Sequence, residues 1–112
     1  MPGTLVLGTP AKIYSAVAAA APQSAFSIQP KQAGGDFSVV FEVVGTVTSL
    51  TATLEISLDG GTTWATFRTA ANFFNAVSAA TAALVTPMVS GALYRINPSI
   101  LTGSQDFWAC AN

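Results

Sequence analysis

Chemistry has few places to reside on this chain. Its 112 residues carry five acidic side chains, four basic ones, a single cysteine and no histidine. Without an imidazole there is no Ser-His or Cys-His nucleophile within the chain, and the usual zinc sites lose their favoured nitrogen ligand. Glu42 and Glu55 form the best candidate pair for acid and base work, because both fall on predicted adjacent strands. Strand alternation already explains both as solvent-facing residues, and that plainer reading is preferred. Asp36, Asp59 and Asp106 lack the spacing of a calcium loop, and no glycine-rich phosphate cradle precedes a helix. Gly34-Gly35 and Gly60-Gly61 read as turn pairs. Cys110 has no partner for a disulfide and reads as a small buried apolar residue. Arg68 and Arg95 fall at predicted strand ends, where a buried or interfacial pairing with an acid competes with a surface salt bridge. Pro98 disqualifies Asn97-Pro98-Ser99 as a glycosylation acceptor. These residues supply no convergent catalytic set, so the expectation is a protein that is not an enzyme and needs neither cofactor nor metal.

The most specific string is Ser57-Leu58-Asp59-Gly60-Gly61-Thr62-Thr63-Trp64. It resembles the Asp-box pattern S-x-D-x-G-x-T-W at every defined position: Ser57, Asp59, Gly61, Thr63 and Trp64. The physical logic is that of a turn. The aspartate accepts bonds from turn amides, the glycine takes a left-handed conformation and the tryptophan packs back over the hairpin. In sialidases and related propellers the box repeats and lies away from the chemistry, and one copy in so short a chain cannot build a propeller. The turn also looks like those of discoidin-like β-sandwiches. Turn stabilisation accounts for all of these residues; the competing reading makes Asp59 or Trp64 a ligand contact.

Elements must hold that turn in place. Residues 37–44 put Phe37, Val39, Phe41 and Val43 on one face and Ser38, Val40, Glu42 and Val44 on the other, with Gly45 ending the strand. Residues 50–58 alternate more cleanly, with Leu50, Ala52, Leu54, Ile56 and Leu58 inward. Residues 64–68 resume an extended pattern after the turn, which predicts a hairpin over 50–68. Residues 24–29, between Pro22 and Pro30, suit a short edge strand, followed by a polar turn at 31–35. Leu5-Val6-Leu7 and residues 12–21 admit extended arms or strands, although alanine by propensity favours a helix. In residues 70–84, Phe73, Val77, Ala80 and Leu84 recur at helical spacing and predict a short helix or a long loop. Residues 93–97 and 105–111 read as two closing strands around turn residues Asn97-Pro98-Ser99 and Thr102-Gly103. The architecture that results is all-β: a single compact antiparallel β-sandwich over 25–112, preceded by an extended N-terminal arm at 1–24. Its core should include Phe37, Val39, Phe41, Leu54, Ile56 and Phe107.

Hydrophobic residues make up 51% of the chain and charged residues 8%, with a net charge of −1. An ordinary domain carries roughly 25% charged residues. With a mean hydropathy of +0.53, the surface calls for partners to cover it, and a homo-oligomer is expected. Lys12, Lys31, Arg68 and Arg95 are too dispersed to form a phosphate-binding stripe, which excludes nucleic acid. The alanine-rich stretch is too weakly hydrophobic for a signal peptide, and the charge-free run 69–94 is interrupted by Asn72, Asn75, Pro87 and Gly91, so no membrane association is expected.

Across residues 25–111, the order Phe41-Glu42-Val43-Val44-Gly45-Thr46-Val47-Thr48, Ala52-Thr53-Leu54-Glu55-Ile56-Ser57-Leu58-Asp59-Gly60, Trp64 and Tyr94-Arg95-Ile96-Asn97 resembles small β-sandwich proteins of tailed bacteriophage virions. These families include head decoration or cement proteins and domains of tail and fibre proteins. The resemblance implies a structural protein on the capsid surface, bound to the major capsid protein or other virion proteins. A tail- or fibre-associated adhesion module binding host-surface carbohydrate is the alternative. In the cement reading, the apolar arm of residues 1–24 would lie across a neighbouring subunit.

Overall fold

The computed structural model describes residues 3–30 and 36–112; the expected turn at 31–35 lies outside them. The chain is all-β. Its spine is two long strands, β4 (Phe37–Ser57) and β8 (Leu93–Ala111), paired antiparallel over their whole length. Strand β2 (Ala11–Val17) borders β8 on the far side. On the other edge of β4 lie β5 (Ala65–Thr66), β6 (Phe74–Val77) and β7 (Thr81–Met88) in succession. Two short strands, β1 (Thr4–Leu5) and β3 (Ser27–Ile28), pair parallel in a separate small sheet.

The expected break at Gly45 is absent, because β4 continues through it. A strand of 21 residues at about 3.3 Å per residue would span about 70 Å if straight. The molecule's longest extent is 40 Å, so the β4–β8 ribbon must fold over itself. The bend coincides with two register shifts, between Val47 and Ser49 and between Thr51 and Ala52. Thr48 is the extra residue on β4 and Ser99 the extra one on β8, so the second bulge restores the register that the first displaced. Each bulge also reverses the buried parity of its own strand. Phe37, Val39, Phe41, Val43 and Val47 are buried before Thr48, and Leu50, Ala52 and Leu54 after it. The same switch separates Tyr94 and Ile96 from Phe107, Ala109 and Ala111 on β8. Asn97-Pro98-Ser99 and Thr102-Gly103 are therefore irregularities within one strand, where the sequence predicted turns between two. Gly45 and Gly103 hold this region together at φ of +105° and +104°. A side chain at Gly103 would fall on the Thr46 carbonyl oxygen, and one at Gly45 would lie 2.7 Å from that of Ser104.

Folding over brings the two halves of the ribbon face to face as the layers of a sandwich. Phe107 of the first half meets Phe74 at 6.2 Å, and Phe41 meets Phe73 at 5.5 Å between ring centroids. Phe26 bridges Phe41 and Tyr94. Of the expected core residues, Phe37, Val39, Phe41, Leu54 and Phe107 are fully buried and Ile56 partly so. Leu58 is 80% exposed, because β4 ends at Ser57 and the turn carries it outward.

Residues 70–84 form neither the helix nor the long loop that the spacing predicts. They supply β6 and the start of β7, laid along the free edge of β4. A hydrogen-bonding partner already in place outweighs a helical period carried mostly by weak apolar positions: Ala80 and Leu84 of that stripe are exposed. The left-handed residues Asn72 and Ala76 give their amides to the hydroxyls of Thr53 and Thr51, on β4. Within residues 3–24 the strands β1 and β2 are separated by a turn at Leu7-Gly8, and β2 pairs with β8 of the same chain. Ile13, Tyr14 and Val17 are core residues, and the Tyr14 hydroxyl donates to the Ser24 carbonyl at 2.6 Å and accepts from the Ile96 amide at 3.3 Å.

Candidate functional site

The turn between β4 and β5 gathers Ser57, Asp59, Gly61, Thr63 and Trp64. Asp59 is its hub. Its Oδ1 accepts from the Ser57 hydroxyl at 2.8 Å and from the Thr63 amide at 2.9 Å, while Oδ2 accepts from the Thr63 hydroxyl at 2.6 Å. The Ser57 oxygen, which is buried, in turn accepts from the Gly61 amide at 2.9 Å. These bonds favour the charged carboxylate. The Thr63 hydroxyl above all, then the Thr63 amide and the Ser57 hydroxyl, hold the pKa of Asp59 down at about 2. Gly61 sits at φ +93° beneath the ring of Trp64, a conformation that glycine adopts without strain.

Trp64 closes the turn and connects it to β8. Its indole N–H donates to the Gly61 carbonyl at 3.2 Å, and the guanidinium of Arg95 lies 4.3 Å from the ring centroid. Arg95 Nε also donates to Glu55 Oε1 at 2.7 Å, and Asn97 donates to Glu55 Oε2 at 3.2 Å. The side chains of Arg95 and Glu55 are 24% and 16% exposed, so the ion pair is half-buried, between the buried and the surface pairing that the sequence left open. This cluster was only partly legible in the sequence. Trp64 and Asp59 were marked by the motif, whereas the placement of Arg95 across from Glu55 follows from the β4–β8 register.

The turn offers a ligand little unused polarity: both Asp59 oxygens and the indole N–H serve the turn itself. Glu42 and Glu55 do not converge. They occupy one strand, β4, on either side of the bulge, rather than adjacent strands, and Glu55 is committed to Arg95. Among the described residues no group of three or more His, Cys, Asp or Glu side chains could hold a metal ion. Cys110 is half-buried rather than buried, because its place on β8 turns it to the outer sheet face. It lines a groove of ≈ 200 Å³ there with Pro10, Val40, Glu42, Ala82 and Trp108. No described helix is long and apolar enough to cross a membrane.

Comparison with protein-family models, curated proteins and solved structures returns no match.

Proposed function

We propose that this chain is a structural protein of a tailed bacteriophage virion, a decoration or cement protein that stabilises the capsid by binding neighbouring subunits. The observation that carries this reading is the outer surface of the sandwich. Val6, Val40, Leu58, Leu84, Val89 and Ile100 are all exposed on a chain with only 8% charged residues. Val40 and Leu84 are direct cross-strand partners on β4 and β7 and form one exposed apolar pair, which suits permanent burial, since lasting interfaces are more apolar than transient ones. The resemblance to small virion sandwiches supplies the setting. Cementing requires no catalysis: a protein that binds the assembled shell better than the free subunits stabilises the shell by that difference.

The test is reconstitution. Purified protein is added to capsids that lack it, and bound copies and the temperature of capsid disruption are measured. Saturable binding with a raised disruption temperature is the expected result, and no binding to any capsid or tail component would refute the assignment.

A further inference from the structure

Most of the charges on this chain are used internally. Lys12 pairs with Asp106, Arg95 pairs with Glu55, and Asp59 is consumed by its turn. Among the described residues, one acid and one base have no side-chain hydrogen bond or ion pair: Glu42 and Arg68. Both side chains belong to exposed residues. Glu42 lies in the first half of β4, while Arg68 follows β5, which pairs with the second half.

We propose that Arg68 of one copy docks into the Glu42 groove of a second copy, joining the two subunits. The groove suits a guanidinium. Glu42 stands between Trp108 on β8 and Ala82 on β7 in one cross-strand row. Ala82 and Cys110 are small enough to leave a hollow, and Val40, Pro10 and the indole of Trp108 wall it. Its volume of ≈ 200 Å³ is several times the roughly 30 Å³ share of one water in the liquid. An entering guanidinium would meet a carboxylate with a planar fork that matches it and would lie against an aromatic wall. Among the described residues Lys12, 5.6 Å from the Trp108 ring centroid, is the like charge close by, and Asp106 balances it.

The backbone that carries Arg68 is tethered. Its turn is pinned on both sides, by the Phe67 amide bonded to the Leu54 carbonyl at 2.9 Å and by the buried Ala70. Ordering on binding is therefore confined to one side chain, which lowers its entropic cost. Because donor and acceptor occupy different places on the same subunit, the contact is made twice across a two-fold axis where geometry allows both at once, and otherwise repeats into a ring or an array. The proposal rests on the homo-oligomeric part of the structural role and names the contact that carries it.

Charge exchange tests it. Wild-type protein is followed by sedimentation across a concentration series beside Glu42→Arg, Arg68→Glu and the double exchange. Circular dichroism checks that each exposed substitution leaves the fold intact, and Glu42→Gln with Arg68→Gln replaces the reversals if either does not. Self-association should weaken about tenfold or more in each single variant and return in the double exchange. A wild type that stays monomeric, single variants that associate like the parent, or folded double-exchange protein that fails to recover would each overturn the contact. Capsid binding of the same proteins separates the two claims. A monomer that still cements capsids loses this contact but keeps the structural role, whereas an oligomer bound by Arg68 with no affinity for any particle does the reverse.

Discussion

Asp59 couples the turn to pH. Its ordinary value is 3.8 and the folded turn lowers it to about 2. A group whose folded pKa is depressed contributes stability that is present above the unfolded value and lost as pH falls through the folded one. The melting temperature should therefore drop between about pH 4 and pH 2, and Asp59→Asn should flatten that part of the profile measured by circular dichroism. The two buried tyrosines have the opposite direction. Burial raises the pKa of Tyr14 and of Tyr94, so their contribution is intact below the unfolded value and lost as pH rises above it. Wild-type melting should fall above about pH 10, and Tyr14→Phe should lessen that fall while lowering stability at neutral pH through two lost hydrogen bonds. Trp64 is half-buried, so Trp64→Ala should cost about 2 kcal/mol in denaturant unfolding, less than the about 3–5 kcal/mol of a fully buried ring. A variant of unchanged stability that loses glycan binding would favour the adhesion reading instead.

At the scale of elements, the inward faces at 37–43 and 50–54 are legible in the sequence because alternation is a local property. What joins them is not. Whether Gly45 ends a strand or lets it bend depends on Gln105 and Ser104, far along the chain. In the same way, the period-four spacing at Phe73 and Val77 gives no sign that the β4 edge waits beside it. The Asp59 turn was readable because every bond in it spans four residues or fewer, whereas Arg95 and Glu55 meet only through the long ladder. Gly103→Ala should cost about 2–4 kcal/mol, since a side chain there combines left-handed strain with a clash against the Thr46 backbone. Gly91→Ala, equally left-handed but in open space, should cost only about 1 kcal/mol; equal losses in the two would contradict the bend. Deleting residues 1–24 removes Leu5, Ile13, Tyr14 and Val17 from the core, so loss of the native spectrum is expected rather than a folded sandwich without its arm.

For the molecule as a whole, the core of the sandwich and the surface outside it call for different partners. The inner faces are filled by phenylalanines and tyrosines from both layers. The outer face is different: Leu84 is 62% exposed and Val40 45%, beside a chain-wide net charge of only −1. Such a surface gives little mutual repulsion between copies, which favours assembly at high local concentration. The measurement that bears most directly on the proposed role is capsid binding, read as copies bound per particle together with the temperature at which the particle disrupts. Occupancy that saturates at a fixed copy number and raises that temperature is the predicted result. A freely soluble monomer at high concentration that binds no capsid or tail component would contradict it.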